Sequence, residues 1–552
     1  MEREGEMEQE IIETDVLCIG GGIAGLMAAI RASEIGAKVI IAEKANTVHS
    51  GNGTTGNDHF MRCYVPEVHG SDYMPVVKEV LAAAKDGMKQ RIYVETWMQK
   101  SFDIVQLWES WGIPMKYHGK YEFAGHDLPG HTPTALKYSG QNQKSILTRE
   151  ALKRKVTIMN RVMVFDMINH NGGIIAFGLD TRREKLLVFR AKSLILGTGL
   201  PTRLYPSPTP SQMFNVSFCP ANTGDGRIMA YKVGAELANL ELTRRWAGPR
   251  YFARCGKATW VGVLRDPQGE PAGPFVTKPD RRYGDLAADF WTTLFEDFAK
   301  SGKGPVYMDC SGIAPEDYEY MMYWMVHEGN TALLDYLADQ NIDVRKHAVE
   351  FGTYETLVPG GVYYNEKGET SVSGLYATGD ETMGGISNAA TMGWLTGENA
   401  AAYARTSDLH DIKEFTEAIN EKEQWLNELS SRKTGVSWQE VNNALQQIMY
   451  DYAGNIRSHT MINAGLTYLS RLKEKAHDLI QAANTHELMN CLETLNLLDL
   501  GELVLISCDQ RKETRQSHVR TDYPFTNPLL NKLLIVRKVD EKPLIQWKEL
   551  TL

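Results

Sequence analysis

Residues 15–44 read DVLCIGGGIAGLMAAIRASEIGAKVIIAEK, and this stretch decides the fold. Residues 15–19 form a short apolar run that is typical of a buried parallel strand. The glycine-rich turn that follows fits GxGxxG, and residues 26–32 predict a helix rich in small side chains. A second apolar run at 38–42 ends at an acid, Glu43. The order strand, turn, helix, strand and acid predicts a Rossmann-like unit.

The glycines of this turn have separate physical tasks. Gly20 allows the tight turn, Gly22 lets the backbone approach a pyrophosphate, and Gly25 lets helix and strand pack closely. The N-terminus of the helix attracts the anion. Glu43 follows Gly20 by 23 residues, the spacing at which an acid accepts a hydrogen bond from a ribose hydroxyl. The stretch therefore predicts dinucleotide binding.

Length and composition indicate an ordinary globular protein of several domains. The chain has 552 residues, which at about 100–200 residues per domain predicts about three to four units. Hydrophobic residues make up 43% and charged residues 23%, which excludes a disordered, collagenous or small disulfide-rich chain. The net charge of −10 disfavours nucleic-acid binding through phosphates.

The seven cysteines are scattered, and no two form a CxxC pair. This argues against an iron–sulfur cluster or a zinc site within the chain, so no metal ligands are predicted, and it suits a reducing compartment. Residues 1–14 are acidic and polar, unlike a secretory signal. No apolar run is long enough to span a membrane. The expected location is the cytoplasm.

Four later segments carry a family resemblance. A strand ending in Gly-Thr-Gly spans 190–199, NTGDG opens a helix at 222–226, GLYATGD follows at 374–380, and ETRQSHVRTDYP spans 513–524. In this order they resemble the succinate dehydrogenase/fumarate reductase flavoprotein superfamily over nearly the whole chain.

Shorter matches resemble one branch of that superfamily, the adenylylsulfate reductase alpha subunit. They are Glu43-Lys44-Ala45 with the Ser50-Gly51 loop, GPVYMD at 304–309 and RTDYP at 520–524. The resemblance implies an α/β fold: a discontinuous Rossmann-like FAD-binding domain with an inserted α+β capping domain and a C-terminal helical domain. The expected division is 1–250 and 345–405 for the FAD-binding domain, 251–344 for the cap, 406–510 for the helical domain and 511–552 for a C-terminal segment.

The resemblance implies FAD as cofactor. Succinate dehydrogenases attach FAD through a His seven residues after the equivalent of Lys44, and that position is Gly51 here, with His49 displaced by two. Non-covalent FAD is therefore favoured over covalent FAD. The predicted cofactor-binding residues are Gly20, Gly22, Ile23, Ala24, Gly25, Glu43, Lys44, Ser50, Gly51, Gly56, Asn57, Thr198, Gly199, Thr223, Asp225, Gly379, Asp380, Ser387 and Asn388.

The chain departs from its relatives at the substrate positions. The stretch 239–246 lacks the family's His-Pro-Thr-Gly, Thr356 stands where a His precedes the Gly-Gly pair, and 388–393 holds no Arg. A dicarboxylate needs two fixed cations, so simple fumarate or succinate chemistry is disfavoured. The adenylylsulfate branch has an Asn in its flavin loop where 57–61 of this chain place an apolar residue.

The candidate catalytic residues are basic or aromatic. Arg250, Arg245 and Trp246 belong to the densest Arg/aromatic group and suit an anion-binding wall; the alternative is a solvated hinge. His59 lies on the flavin loop, and His131 ends a loop rich in histidine that could bring an acid or base over the flavin. A surface or structural role is the alternative for each His. Arg515, His518 and Arg520 are expected to fix the C-terminal segment.

These observations lead to one functional hypothesis with two alternatives. The hypothesis is a cytoplasmic FAD-dependent oxidoreductase that passes electrons between a small anionic substrate and a small, ferredoxin-like iron–sulfur partner in anaerobic metabolism, as the resemblance implies. No second dinucleotide motif is present to receive electrons from NAD(P)H. The alternatives are a stand-alone fumarate- or enoate-type reductase and an electron-transfer subunit without its own substrate. A higher oligomer is left open.

Overall fold

The computed structural model describes residues 7–54, 57–82, 89–125, 130–207, 218–250, 260–273, 276–283, 291, 293–329, 331–379 and 385–551, with the backbone alone at Trp246, Tyr354 and Glu355. The strands are β1 (Glu8–Ile19), β2 (Val39–Glu43), β3 (His59–Met61), β4 (Ala135–Lys137), β5 (Thr157–Asn160), β6 (Val162–His170), β7 (Gly173–Asp180), β8 (Lys185–Leu196), β9 (Leu237–Ala238), β10 (Arg244–Pro249), β11 (Val263–Arg265), β12 (Val306–Asp309), β13 (Val349–Leu357), β14 (Gly361–Val362), β15 (Leu375–Ala377), β16 (Ile456–Arg457), β17 (Val519–Arg520), β18 (Lys532–Val539) and β19 (Lys542–Glu549).

The helices complete this inventory. They are α1 (Ile23–Glu34), α2 (Pro66–His69), α3 (Met74–Ala82), α4 (Arg91–Trp111), α5 (Gln143–Lys153), α6 (Asp225–Lys232), α7 (Leu294–Lys300), α8 (Pro315–His327), α9 (Thr331–Asp339), α10 (Gly385–Thr406), α11 (Thr416–Ser431), α12 (Trp438–Ala453), α13 (His459–Leu479) and α14 (Thr485–Gln510).

The central sheet has the order β5-β2-β1-β8-β7-β6, with β15 pairing to β8. Strands β5, β2, β1, β8 and β15 run parallel, whereas β6, β7 and β8 form an antiparallel meander. Strand β1 begins at Glu8, seven residues before the apolar run that predicted it. Residues 8–14 extend the strand because they pair in register with residues 185–191 of β8, although several of their side chains are exposed. The expected α/β fold with a parallel FAD-domain sheet is confirmed.

Helices α1 and α10 pack against each other over the central sheet, and glycines set their distance. A Cβ at Gly393 would lie 2.6 Å from the carbonyl oxygen of Ala24, and one at Gly397 would collide with that of Ala28. Small residues on both helices therefore let their backbones touch. This close packing holds the N-terminus of α1 at the edge of the sheet.

A second, antiparallel sheet forms the core of the cap and has the order β10-β13-β12-β11. Helices α7, α8 and α9 contribute to its hydrophobic core, in which Met308, Met321 and Phe351 are buried. The sheet includes 244–249 and 349–357, which the sequence-based division had assigned to the FAD-binding parts. The division into domains stays a proposal, with both strands now assigned to the cap.

The C-terminal part consists of helices α11–α14 followed by strands β17–β19. Helix α14 is buried along most of its length and continues to Gln510. Strand β18 pairs with β9 and β19, so the tail returns to the FAD-binding part. Within the described part of the chain, we find no helix with the length and apolar character needed to cross a membrane.

Candidate functional site

A cleft of about 830 Å³ opens at the carboxyl ends of the parallel strands and the N-terminus of α1. Strand β1 ends at Ile19 and β2 ends at Glu43, while Thr198 and Thr378 follow β8 and β15. Parallel α/β sheets bind their ligands in this position.

The glycine-rich turn has the close contacts that its pattern predicts. Gly20 has a φ of +98°, and a Cβ there would lie 2.6 Å from the carbonyl oxygen of Gly197. A Cβ on Gly25 would collide with the carbonyl oxygen of Gly20. A Cβ on Gly22 would meet one atom within 4 Å among the described residues, the carbonyl oxygen of Gly197 at 3.8 Å. Gly22 itself lines the cleft. The turn thus leaves an open backbone surface for a ligand.

The carboxylate of Glu43 is fixed by backbone groups at the same edge. The amide of Gly21 donates to its Oε2 at 2.7 Å, and the amide of Ala45 donates to its Oε1 at 2.8 Å. Each oxygen keeps a lone pair for a further donor. The side chain lines the cleft, which agrees with the predicted contact to a ribose hydroxyl.

Two hydroxyls in the wall of the cleft, Ser50 Oγ and Thr378 Oγ1, are buried without a hydrogen-bond partner in the part of the chain that the structure describes. Buried hydroxyls are rarely left unpaired in native proteins. Together with the open glycine turn and the acid at the end of β2, they fit a large polar ligand such as FAD. Ser50 was predicted, whereas Thr378 was missed because a Thr before Gly-Asp has no signal of its own.

Lys44 forms a buried ionic network at the rim of the cleft. Its Nζ lies 2.8 Å from Asp225 Oδ2 and 2.8 Å from Glu493 Oε1 on α14, and it also donates to Thr223 Oγ1. Burial opposes the charge on Lys44, but the two carboxylates raise its pKa above the usual range. Arg203 pairs with the other oxygen of Glu493. This network joins the FAD-binding part to the helical part.

The structure brings most predicted cofactor residues to the cleft. Those that line it are Gly20, Gly22, Ile23, Ala24, Glu43, Lys44, Ser50, Gly51, Thr198, Gly199 and Asp225. Those that do not line it are Gly25, Asn57, Thr223, Gly379, Ser387 and Asn388.

The residues that stand back from the cleft have protein partners. Ser387 donates to the carbonyl of Arg62 and accepts from Trp97, and Asn388 donates to Tyr93. Asn388 Oδ1 nevertheless has no hydrogen-bond partner among the described residues, and the role of Ser387 and Asn388 as cofactor ligands stays a prediction. Gly56 and Asp380 lie outside the described residues.

His59 belongs to a buried cluster with Asp58 and Lys137. Asp58 Oδ1 lies 2.6 Å from His59 Nδ1, and Asp58 Oδ2 lies 2.6 Å from Lys137 Nζ. His59 Nε2 faces the carbonyl oxygen of Ala124 at 3.2 Å. Both ring nitrogens of His59 therefore lie within hydrogen-bond distance of an oxygen atom. Burial raises the pKa of Asp58, but His59 and Lys137 hold it well below its usual range.

The other catalytic candidates lie apart from the cleft lining. Arg245 is mostly buried in β10 and pairs with Glu296 of the cap, while its Nε has no hydrogen-bond partner among the residues described. Arg250 is 50% exposed and pairs with Glu350. The side chain of Trp246 is not described.

His131 is 45% exposed and pairs with Glu79. Arg250 is half-exposed and pairs with Glu350, so its part in an anion-binding wall stays a prediction. His131 likewise lies on an exposed surface. Of the four predicted arginine and histidine candidates, Arg245 and His59 are largely buried, whereas Arg250 and His131 are not.

The sequence-based prediction missed Lys144, which is 3% exposed at the start of α5 and donates to the carbonyl of Gly21. It also missed Asn52, Cys219 and Asn222 in the cleft wall. Lysine at a helix start gives no signal of burial. The described residues hold no group of three His, Cys, Asp or Glu side chains arranged for a metal ion.

Comparisons with known proteins agree with this geometry. Residues 15–393 match the family model described as FAD binding domain, and residues 442–552 match the one described as fumarate reductase flavoprotein C-term. A subunit of the fumarate reductase (CoM/CoB) of Methanothermobacter marburgensis is 26% identical over 97% of this chain and 99% of its own length. L-aspartate oxidase of Vibrio cholerae is 24% identical over 93% and 96%.

Solved structures show the same fold. Adenylylsulfate reductase from Archaeoglobus fulgidus superposes with a TM-score of 0.85 at 20% identity, covering 98% of this chain and 96% of that one. A quinol fumarate reductase of E. coli gives 0.83 at 17% identity, covering 98% and 97%. The chain therefore belongs to the FAD-binding flavoprotein family of succinate dehydrogenase, fumarate reductase and adenylylsulfate reductase, and it is an FAD-dependent oxidoreductase.

Proposed function

We propose that the chain is the flavoprotein component of a complex and passes electrons between a small anionic substrate and an iron–sulfur partner protein. The observation that carries the proposal is the cleft, in which Ser50 and Thr378 place buried hydroxyls, unpaired within the described residues, beside an open glycine turn. FAD bound there supplies electron and hydride transfer at its ring system. The protein supplies binding, orientation and charge.

Non-covalent attachment of FAD is part of the proposal. Gly51, at the position of the attaching His in succinate dehydrogenases, lines the cleft and offers no side chain for a bond. His49 is exposed and is not among the cleft residues. Glu43, the hydroxyls and the helix N-terminus supply polar contacts that need no covalent link.

Two groups support an anionic substrate next to the cap. Arg245 keeps a buried guanidinium nitrogen without a partner in the described part of the chain, and burial lowers its pKa against the opposing charge of Glu296. Such a group gains from an added anion, since a charge-assisted hydrogen bond is stronger than a neutral one. Lys137, in the cluster with Asp58 and His59, is a second buried cation near the flavin loop.

The partner protein is inferred from a relative and from the family resemblance. It is supported by the relative from Methanothermobacter marburgensis, whose name describes it as one subunit of a fumarate reductase. The family resemblance adds the expectation of a small iron–sulfur protein. We infer that this chain likewise receives or delivers electrons through a second polypeptide.

The visible spectrum of the purified chain, before and after acid precipitation, tests this function first. Yellow colour released with the mass of FAD supports non-covalent FAD, and colour kept in the pellet contradicts it. Reduced protein is then mixed with an enoate or a sulfur oxyanion. Reoxidation by either supports an anionic substrate, whereas response to reduced ferredoxin alone supports an electron-transfer subunit. Absence of flavin after reconstitution with FAD would overturn the proposal.

A further inference from the structure

The lysines buried in the described residues differ in how their charge is compensated. Lys137 is fully buried, and its ammonium lies 2.6 Å from the Asp58 carboxylate. Lys44 has two carboxylates at 2.8 Å. Lys144 is 3% exposed, and its ammonium has no carboxylate within ion-pair distance among the described residues. A buried cation without a counter-charge is costly, so its presence calls for an explanation.

The place of Lys144 supplies the explanation. Its ammonium donates to the carbonyl of Gly21, inside the glycine-rich turn. Gln143, the residue before it, donates to the carbonyl of Gly53, which lines the cleft. The charge of the Glu43 carboxylate, which lines the cleft, acts on Lys144. Lys144 thus lies directly behind the glycine-rich turn, the part of the cleft wall that is expected to bind a pyrophosphate.

The ammonium of Lys144 has more N–H donors than it has acceptors among the described residues. A lysine ammonium carries three N–H groups, and the described residues provide one hydrogen-bond acceptor, the carbonyl of Gly21. Burial lowers the pKa of Lys144 to about 8, with Glu43 and Cys219 opposing that shift. A neighbouring anion would stabilise the charged form and could accept from the remaining donors.

We propose that Lys144 is a cofactor-binding residue that supplies the positive counter-charge for the diphosphate of FAD. The inference rests on the non-covalent FAD of the proposed function. It assigns to one side chain the electrostatic part of diphosphate binding, next to the backbone amides of the turn. The alternative is a purely structural role, in which Lys144 only braces the carbonyl of Gly21.

The variants separate charge from bracing. Lys144→Gln keeps a donor for the carbonyl of Gly21 but removes the charge, and Lys144→Arg keeps the charge. Lys144→Met removes both. Lys153→Met on the same helix is the matched control, because Lys153 is largely exposed and pairs with Glu150. The full-length chain, freed of flavin, is titrated with FAD, with ADP, which has the diphosphate without the flavin, and with riboflavin, which lacks the diphosphate.

The expected result is a loss specific to the diphosphate. Lys144→Gln should weaken FAD and ADP by about tenfold or more, the size of one lost charge-assisted hydrogen bond, and leave riboflavin unchanged. Lys144→Arg should keep most of the affinity, and Lys153→Met all of it. The unfolding temperature of the flavin-free Lys144→Gln chain should equal or exceed that of the wild type, because an uncompensated buried charge is gone.

Several outcomes would overturn the inference. Equal affinity of wild type and Lys144→Gln for FAD, an equal loss for riboflavin, or a lower unfolding temperature of the flavin-free Lys144→Gln chain would each assign Lys144 a structural role. If Lys144→Met does not fold, Lys144→Gln and Lys144→Arg still decide. A wild-type chain that binds no FAD would instead contradict the proposed function, so the two failures are distinguishable.

Discussion

Asp58 Oδ2 lies 2.6 Å from the ammonium nitrogen of Lys137, and both side chains are almost fully buried. The other oxygen of the same carboxylate holds His59. The faces of Tyr320 and Trp324 on cap helix α8 lie 5.8 Å and 5.3 Å from the same ammonium. One carboxylate therefore holds a lysine ammonium and an imidazole ring at the contact between the FAD-binding part and the cap.

Removing that carboxylate should be severe. Asp58→Asn leaves Lys137 without its counter-charge. Breaking a buried ion pair in this way costs about 3–5 kcal/mol. The measurement is the free energy of unfolding by urea at pH 7. Asp103→Asn is the control, because Asp103 pairs with Lys100 on the surface and its loss should stay within about 0.5 kcal/mol. Similar values for the two variants would contradict the compensation.

Replacing Glu493 should lower stability by a comparable amount at the contact between the FAD-binding part and the helical part. Glu493→Gln leaves the buried Arg203 without its carboxylate and Lys44 with Asp225 alone. We therefore expect a loss of about 3–5 kcal/mol and weaker docking of α14. Hydrogen exchange of α14, read by mass spectrometry, should rise. The matched control is Glu428→Gln, since Glu428 is exposed and pairs with Arg432. Unchanged exchange in α14 would mean that the network does not hold the helical part.

Two glycines of the turn separate folding from cofactor binding. Gly25→Ala puts a Cβ into the carbonyl of Gly20, so α1 must shift and both stability and FAD binding should fall. Gly22→Ala meets the carbonyl oxygen of Gly197 at 3.8 Å, an ordinary contact, but its methyl group enters the cleft. That variant should fold like the wild type and bind FAD at least about tenfold more weakly. Unfolding temperatures and FAD titrations of the purified variants decide between the two effects.

The same residues show which parts of the site the sequence could predict. The GxGxxG turn and Glu43 are local patterns whose geometry follows from their spacing, so the cleft was placed correctly. Lys144 and Glu493 come from segments far along the chain, and only the tertiary fold brings them to Gly21 and Lys44. Their burial depends on packing between helices, to which a single sequence gives no access.

A similar limit explains the Arg-rich segments. Arg250 and Arg245 look alike in sequence, yet one ends exposed at the end of β10 and the other is buried against Glu296. Their exposure depends on which strand of the cap sheet lies beside β10. By contrast, His518 was expected to be structural, and its buried hydrogen bonds to Arg457 and to the carbonyl of Arg511 agree with that expectation.

His518 should make stability depend on pH. Burial and the charge of Arg457 hold the pKa of His518 well below its usual 6.5. The folded state therefore keeps the ring neutral, whereas the unfolded state binds a proton below about pH 6.5. The stability contribution is complete above that pH and is lost as the pH falls toward the folded pKa, by about 1.4 kcal/mol per pH unit.

The difference between variants isolates this residue, because burial also lowers the pKa of His69 and His477, which act in the same direction. His518→Gln should lower stability at pH 7.5 but flatten the loss between pH 6.5 and 5.5 relative to the wild type. His170→Gln, at an exposed position, should leave the slope unchanged. A wild-type slope in His518→Gln would show that the ring is not kept neutral in the fold.

The unpaired hydroxyls of the cleft yield the most direct test of cofactor contact. Ser50→Ala and Thr378→Val each remove one buried hydroxyl that has no partner within the described part of the protein. Without ligand, removing such a group relieves a desolvation cost, so the flavin-free variants should be as stable as the wild type or slightly more stable. With FAD, each lost hydrogen bond of about 0.5–1.5 kcal/mol should weaken binding by roughly two- to tenfold. Equilibrium titration with FAD and thermal unfolding with and without FAD measure both effects on the same samples.

Thr391→Val is the control, because its hydroxyl is also buried and unpaired among the described residues but does not line the cleft. Weaker FAD binding in Thr391→Val, or unchanged binding in both cleft variants, would show that these hydroxyls do not face the cofactor.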